Sequence, residues 1–308
     1  MLARPEQLLL ALIAEAAIGY PAWMFGAVGH PVTWIGAGIA SLERRWNHGG
    51  PVRRRAMGGL LVLLVAGGAA AIGWLAETWA GEGAAVLVVV AITTTGLAQR
   101  SLDDHVRAVA RPLLGGDLGG ARAAVAMIVG RDTAALDEQR VAVAAIESLA
   151  ESFCDGVVAP AFWFLVAGLP GLLLCKAVNT ADSMIGHRDA RYLHFGWAAA
   201  RTDDVVNFLP ARLSGLLVCM AGMGGWRIML RDARHHASPN GGWPEAAMAG
   251  VLQRRLGGPV TYDGEPAHRA WLGDGPAPGA RDVQRSLWVY RRACLLLWIL
   301  VGVIAWHL

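Results

Sequence analysis

The fold of this chain is decided by two adjoining stretches of different character. The first is apolar, GVVAPAFWFLVAGLPGLLLCKAV (Gly156–Val178), and the second is rich in charge, NTADSMIGHRDARYLHFGWAAARTDDVVNFLPAR (Asn179–Arg212). A membrane helix needs about 20 apolar residues, which the first stretch supplies. A charged side chain at bilayer depth costs on the order of 3 kcal/mol on insertion scales. The charged stretch therefore indicates a binding or catalytic site, and the alternative is a solvated loop with surface ion pairs.

The composition places the chain among membrane proteins. Hydrophobic residues make up 55% of the 308 and charged residues 17%, whereas an average soluble domain carries about 25% charged residues. We expect an all-α, polytopic integral membrane protein with a single domain over residues 1–308, placed in the cell inner membrane. The net charge is +3, and no basic tract is interleaved with aromatic residues, so we expect no nucleic-acid partner.

Further apolar runs have the length of membrane segments, and with the first they predict four to six spans. These runs cover residues 7–28, 58–76, 84–98, 205–226 and 287–308. The acidic stretch Glu77–Glu82 joins two of them into a helical hairpin. Five arginines lie before this hairpin and Arg100 follows it, so the positive-inside rule places both flanking loops in the cytoplasm. We expect the active site on that side too.

The apolar run 157–178 is interrupted by Pro160 and by Gly168-Leu169-Pro170-Gly171. Proline removes a helix hydrogen bond and clashes with the preceding turn. We therefore expect that this run does not cross the bilayer as one straight helix, which would allow a re-entrant hairpin. In that arrangement Glu151 and Asp182 would share one cavity.

Two polar regions separate the apolar runs. Residues 100–155 show apolar residues at three- and four-residue spacing, which predicts three amphipathic cytoplasmic helices with breaks near Pro112 and Gly130. Residues 227–286 are rich in Gly and Pro and show little periodicity, which predicts a long polar loop. The four cysteines stand singly in apolar runs and are expected to be small buried side chains.

Three acidic residues are spaced four apart, Glu147, Glu151 and Asp155, so an α-helix would stack them on one face. Like charges at that spacing repel each other, and a divalent cation would relieve the repulsion. Mg²⁺ prefers carboxylate oxygens and substrate phosphates. We expect Glu147, Glu151, Asp155 and Asp203 to bind Mg²⁺, and a solvated acidic face is the alternative.

The turn Asn240-Gly241-Gly242 is a second candidate site. Its backbone N–H groups could form a nest for an anion such as phosphate, and Pro244-Glu245 indicates the start of a helix. A simple turn before a surface helix is the alternative. No Walker motif, no dinucleotide GxGxxG and no GxSxG motif occurs in the chain, so nucleotide binding would have to be unconventional.

Blocks of sequence in a fixed order run along nearly the whole chain. They include HPVTWIG (His30–Gly36), GRDT (Gly130–Thr133), ESLAESFCDGVVAPAFW (Glu147–Trp163), NTADSMIGHRDARY (Asn179–Tyr192), FGWAAARTDDVVNFLPARL (Phe195–Leu213) and SPNGGWPEAAMAG (Ser238–Gly250). Together they resemble the CobD/CbiB family of adenosylcobinamide-phosphate synthases, membrane proteins of cobalamin biosynthesis. The family usually has an aspartate where this chain has Tyr20, and an asparagine where it has Ser152.

The resemblance implies an ATP-dependent amide ligase that joins adenosylcobyric acid to (R)-1-amino-2-propanol phosphate, with ATP as cosubstrate and Mg²⁺ as cofactor. Its partners would be these substrates, the lipid bilayer and other enzymes of the pathway. We expect catalytic roles for Asp182, Asp203, Asp204 and Glu151, with Asp182 as the base that takes the ammonium proton. Substrate and phosphate binding is expected from Asn179, Arg188, Arg191, Arg201, Arg212, Asn240 and Gly241.

Two alternatives belong to other classes. The paired aspartates near membrane helices would also suit a Mg²⁺-dependent intramembrane transferase, although neither DDxxD nor DGxxAR occurs in the chain. A non-catalytic transport or assembly subunit for corrinoids is the other alternative. Transporters usually show internal repeats, and this sequence has none.

Overall fold

A computed structural model describes residues 2–79, 85–262, 265–267 and 269–307. Most of this part is helical, which confirms the all-α prediction. In chain order the helices are α1 (Arg4–Ile18), α2 (Ala22–Val28), α3 (Pro31–Trp46), α4 (Pro51–Trp79), α5 (Ala85–Gly96), α6 (Gln99–Leu114), α7 (Leu118–Ala126), α8 (Glu138–Phe153), α9 (Ala159–Ile185), α10 (Trp197–Val206), α11 (Phe208–Gly222), α12 (Trp226–Asp232), α13 (Gly242–Leu252) and α14 (Ala280–His307).

The chain divides into two compact units. Unit 1 comprises Met1–Ala98, Asp155–Asn207 and Val301–Leu308, and unit 2 comprises Gln99–Cys154 and Phe208–Leu300. The single domain over residues 1–308 stays a prediction.

Several described helices could cross a membrane by their length and composition. Three pass alone, namely α4, the run Glu138–Ile185 that contains α8 and α9, and α14, and two bent helix pairs would raise the number to five. One pair is α1 with Trp23–Trp46, and the other is α10 with α11. The chain is therefore an all-α membrane protein, and the range of three to five overlaps the four to six spans predicted.

In unit 1, α4 packs through glycines against α9 and against the loop that follows α9. A Cβ on Gly73 would lie 2.6 Å from the nitrogen of Pro170, and one on Gly58 would collide with the carbonyl oxygen of Phe195. Small residues at such contacts let helix backbones approach closely, as is typical in membranes. Buried Leu61, Ala181 and Phe195 fill the same interface.

Helix α9 is broken at Gly168, where φ is +67° and ψ is −151°. Glycine adopts these angles without a Cβ clash. The N–H of Leu169, freed by the break, donates to Oε1 of Glu77 on α4 at 2.7 Å. The run is therefore not one straight helix, as predicted, whereas the re-entrant hairpin and a cavity shared by Glu151 and Asp182 stay predictions. Pro160 does not break the run, because it lies in the first turn of α9, where its missing N–H costs no helical hydrogen bond.

The apolar run 7–28 is also interrupted, between α1 and α2. Tyr20 stands in this break, and its hydroxyl donates to the carbonyl oxygen of Gly29 at 2.6 Å. The Tyr20 ring meets the His30 imidazole edge to face, with the centroids 4.6 Å apart. Tyr20 therefore holds the turn that precedes α3. The predicted hairpin turn between α4 and α5 lies largely outside the described residues.

In unit 2, α6, α7 and α8 are the three helices predicted for residues 100–155, with the breaks near Pro112 and Gly130 as expected. The predicted stack of three acids is wrong at one position. Helix α8 ends at Phe153, and Asp155 lies in a π-helical turn, Cys154–Val158. A π-turn widens the helix, so the α-helical stack includes only Glu147 and Glu151.

The prediction of a long loop over residues 227–286 is wrong. This region contains most of α12, a 3-10 turn (Ala233–His235), α13 and the strands β1 (Leu256–Gly257), β2 (Val260–Tyr262), β3 (Glu265–Ala267) and β4 (Trp271–Leu272). The strands form two antiparallel pairs, β1 with β4 and β2 with β3. Helix α13 is buried along most of its length. All four cysteines of the chain are free and buried, as expected.

Replacing Glu77 with Ala should destabilise the protein by roughly 1–2 kcal/mol, because the Leu169 N–H then loses its acceptor. Glu77→Gln keeps a side-chain oxygen and should recover most of that stability. Thermal unfolding of the purified proteins in detergent measures both effects. Equal stability of Glu77→Ala and the parent protein would show that the break in α9 needs no cap.

Candidate functional site

In unit 1, the acidic candidates gather around the polar face of α9. The amide Nδ2 of Asn179 donates to Oδ2 of Asp155 at 3.0 Å. Asp155 belongs to the π-helical turn, a kind of turn that occurs frequently at functional sites. Asp182 follows Asn179 by three residues and therefore lies on the same side of the helix.

Four aspartates of unit 1 form one electrostatic cluster, Asp155, Asp182, Asp203 and Asp204. Asp203 feels the charges of the other three, and Asp182 feels those of Asp155 and Asp204. All four side chains are half-buried. Carboxylates gathered in this way repel one another, so a cation or a positively charged ligand group among them would be stabilised.

Asn207 extends this aspartate cluster, and sequence reasoning missed it. Its Nδ2 donates to Oδ1 of Asp203 at 3.0 Å. The residue is only 2% exposed, and its Oδ1 has no hydrogen-bond partner among the described residues. A buried amide oxygen without a donor is costly, so this atom is a free ligand position beside Asp203.

The loop that follows α9 is tied to the short loop between α3 and α4 and to the helix ends beside it, which carry five arginines. Arg191 donates two hydrogen bonds to the carboxylate of Glu43, from Nε at 3.1 Å and from Nη2 at 2.9 Å. Asn47 donates to the carbonyl oxygen of Arg191 at 3.1 Å, and Arg54 donates to that of Ala190 at 3.3 Å. Both loops therefore lie on one side of unit 1, and Arg191 has a structural partner.

The other predicted arginines differ in their surroundings. Arg201 pairs with Asp204 at 3.0 Å and is mostly exposed, and Arg188 is also exposed. Arg212 belongs to unit 2, where its guanidinium lies 4.8 Å from the centre of the Trp243 ring. Its Nη1 donates to Oδ1 of Asn240 at 3.4 Å. The predicted phosphate-binding residues thus fall into both units.

In unit 2, Glu147 is buried, with 2% of its surface exposed, and protein groups occupy both of its oxygens. Oε2 accepts from Arg131 at 2.6 Å and from Arg269 at 3.2 Å, and Oε1 accepts from the N–H of Gly257 at 2.7 Å. A buried carboxylate requires partners of this kind. These contacts account for its burial without a metal, and its metal role stays a prediction.

Glu245 on α13 lies beside this group and is 0% exposed. Burial, and then the charge of Glu147, raise the pKa of Glu245 well above its ordinary value. His236 Nε2 lies 3.4 Å from Glu245 Oε1, and burial, followed by the charge of Arg269, lowers the pKa of His236. Both side chains therefore favour their neutral forms. The sequence marks Glu245 only as part of a helix start.

The turn before α13 is closed by a serine hydroxyl. The N–H groups of Asn240 and Gly241 both donate to Oγ of Ser238, each at 3.2 Å. Glu151 lies beside this turn, since its Oε1 would be 3.6 Å from a Cβ on Gly241. Ser238 already accepts two of the N–H groups expected to bind an anion, and the phosphate role of this turn stays a prediction.

No group of three or more His, Cys, Asp or Glu side chains in the described part of the chain is arranged as a ready-made metal site. Mg²⁺ does not require one, because it is usually bound by one or two carboxylates together with substrate phosphates. Asp155, Asp203 and the free Oδ1 of Asn207 offer oxygen atoms, which is the donor type that Mg²⁺ selects. The aspartate cluster of unit 1 therefore fits this ion.

Comparison with known proteins gives one consistent family. A family described as "CobD/Cbib protein" matches residues 8–290. A cobalamin biosynthesis protein CobD of Rhodobacter capsulatus is 50% identical over 307 residues, covering 97% of this chain and 96% of the relative. The proteins of that name from Sinorhizobium sp and Geobacter metallireducens are 46% and 44% identical, each covering 94% of this chain and 94% and 93% of the relative. No solved structure matches.

Glu245 should make stability depend on pH. A carboxyl group whose pKa is higher in the folded state binds more protons there, so stability falls as the pH rises above the ordinary pKa of Glu, by at most about 1.4 kcal/mol per pH unit. Glu245→Gln cannot lose a proton and should flatten this decline. Thermal unfolding from pH 5 to pH 8, as a difference between the two proteins, measures it. Parallel pH profiles would show that Glu245 is ionised.

Proposed function

The chain belongs to the CobD/CbiB protein family of cobalamin biosynthesis, and on that premise we propose that it is an ATP-dependent amide ligase. The substrates would be adenosylcobyric acid and (R)-1-amino-2-propanol phosphate, and the product adenosylcobinamide phosphate. The observation that carries this proposal is the cluster of Asp155, Asp182, Asp203 and Asp204 in unit 1, with Asn207 beside it.

The proposed reaction has two steps. The free carboxylate of the corrinoid attacks the terminal phosphorus of ATP, which gives an acyl phosphate and releases ADP. The amine then attacks the acyl carbon, and inorganic phosphate leaves as the amide forms. The ammonium form of the amine must lose a proton first, and Asp182 is our proposed acceptor for it.

The aspartate cluster would hold the reactants for both steps. Mg²⁺ bound by Asp155 and Asp203 would neutralise charge on the transferred phosphoryl group. Asn179 fixes the carboxylate of Asp155, and Asn207 fixes that of Asp203, so both oxygens are oriented before the substrate arrives. Preorganised groups of this kind lower the barrier because they need not reorient during the reaction.

Arg201 is the best candidate in unit 1 for the phosphate of the amino-alcohol. Its own side chain is mostly exposed, although Asp204 is only 24% exposed, and an ion pair with an exposed partner contributes little, about 0–1 kcal/mol at the surface. A phosphate dianion could replace Asp204 at little cost, and the guanidinium would bind it with two parallel hydrogen bonds. Arg191 is a poorer candidate, because its fork is already occupied by Glu43.

We place the site on the cytoplasmic side of the cell inner membrane. The end of α3 and the start of α4, which carry five arginines, are expected in the cytoplasm by the positive-inside rule. Hydrogen bonds from Asn47 and Arg54 reach the loop that follows α9, so that loop shares its side. ATP, the proposed cosubstrate, is available there. Other enzymes of the pathway would be partners that deliver the corrinoid.

The proposal is tested by mixing the purified protein with adenosylcobyric acid, (R)-1-amino-2-propanol phosphate, ATP and Mg²⁺. We expect formation of the amide, detected by mass spectrometry, with one ADP and one phosphate released per product. Omission of ATP or Mg²⁺ should abolish it, and the unphosphorylated alcohol should react poorly. If no amide forms with any divalent metal, the ligase proposal fails and a non-catalytic assembly role becomes the better explanation.

Asp203→Asn should lower the rate of amide formation by about 100-fold or more, because the amide cannot replace a charged oxygen ligand. The matched control is Asp104→Asn, since Asp104 forms only exposed ion pairs in unit 2, with Arg100 and Arg107, and should leave the rate unchanged. The thermal stability of both variants should stay near that of the parent. Normal turnover of Asp203→Asn at saturating Mg²⁺ would remove Asp203 from the site.

A further inference from the structure

Lys176 is the only lysine among the 308 residues, and the proposed ligase reaction gives it no role. It lies on the second half of α9, between the buried residues Cys175 and Ala177, and is itself half-buried. Asn179 follows it by three residues and is thus its neighbour on the helix surface. The lysine therefore stands next to the residue that fixes Asp155.

The ammonium group of Lys176 has no ion pair in the part of the chain that the structure describes, since no carboxylate there lies within 4.0 Å of it. It nevertheless interacts electrostatically with Asp155 and with His30. A positive charge in an apolar helix is expensive and normally has a partner. Lys176 thus lies on the same helix as Asn179 and Asp182, with no carboxylate in contact among the described residues.

His30 on unit 1, which feels the charge of Lys176, could supply a second donor. Its Nδ1 accepts the backbone N–H of Val32 at 3.2 Å, so a neutral imidazole carries its hydrogen on Nε2. The Tyr20 ring, which meets the imidazole edge to face, limits the orientations of the ring. An ammonium group and an N–H of this kind together suit an anion.

We propose that Lys176 binds a phosphoryl group of the substrates at the aspartate cluster of unit 1, with His30 as a second donor. This inference rests on the proposed function, because it assigns a phosphate to the same site. The phosphoryl group would belong either to ATP or to the amino-alcohol phosphate. Lysine is a common phosphate ligand that acts as a point charge.

A different explanation is that Lys176 extends its side chain towards lipid headgroups or water. Long basic side chains near helix ends do so. In that case substrates would not change the chemical accessibility of its amine. Because the chain has one lysine, this difference can be measured directly at a single residue.

The test is acetylation of the purified protein with acetic anhydride, with the fraction modified at Lys176 read by mass spectrometry. The amino terminus of the chain is the internal control. One arm contains ATP and Mg²⁺, another (R)-1-amino-2-propanol phosphate and Mg²⁺, and a third the unphosphorylated alcohol. We expect the phosphorylated ligand that contacts Lys176 to slow its acetylation by about tenfold, as a charge-assisted contact of ordinary strength would. The third arm should show no protection, and an unchanged rate in all arms overturns the proposal.

Equilibrium binding gives a second, independent measurement. Lys176→Met should raise the Kd of the protecting ligand by about tenfold, and Lys176→Arg, which keeps the charge, should raise it less. If Lys176 resists acetylation even without ligand, these Kd values decide, and an unchanged Kd in Lys176→Met overturns the proposal. If a ligand protects Lys176 but no amide forms, the ligase proposal fails and the phosphate site at Lys176 stands. If amide forms but neither protection nor a change in Kd is seen, the ligase proposal stands and the phosphate site at Lys176 fails.

Discussion

Helix α9 carries polar groups through apolar surroundings, and each of them must find its partner inside the protein. The break at Gly168 frees the N–H of Leu169, and the carboxylate of Glu77 accepts it. Further along the helix, Asn179 uses its amide to fix Asp155. An unsatisfied polar group in hydrocarbon costs several kcal/mol, so these two hydrogen bonds restrict how the helix can be built. The arrangement of the aspartate cluster depends on them.

The sequence predicted the parts of this arrangement that are local. Glycine and proline at residues 168 and 170 predicted the break, and the density of Asp in the charged stretch predicted the cluster. The acceptor for the Leu169 N–H could not be predicted, because Glu77 lies 92 residues before Leu169. In the sequence, Glu77 is one acidic residue at the end of an apolar run. Asn207 was missed for a similar reason, since a single asparagine in an apolar stretch carries no pattern.

The error over residues 227–286 has a different cause. Helix α13 is buried on most of its surface, and a helix that is buried all round shows no alternation between an apolar and a polar face. Its glycines pack closely, since a Cβ on Gly242 would collide with the carbonyl oxygen of Ala233. Glycine therefore marks tight packing here, whereas its frequency had indicated a loop. Glu245 was overlooked with the helix that buries it.

The order in which the chain contributes to the two units affects when each unit can fold during synthesis. Unit 1 takes its residues from the beginning, the middle and the end of the chain, and unit 2 takes its own from the two intervals between them. A domain made of one continuous segment can fold as soon as that segment leaves the ribosome. Here Glu147 can pair with Arg131 early, but its contacts with Gly257 and Arg269 form only after those residues have been synthesised. Neither unit can therefore complete its tertiary contacts until most of its residues have been synthesised. The helices of each unit that are made first must remain stable in the bilayer without those contacts.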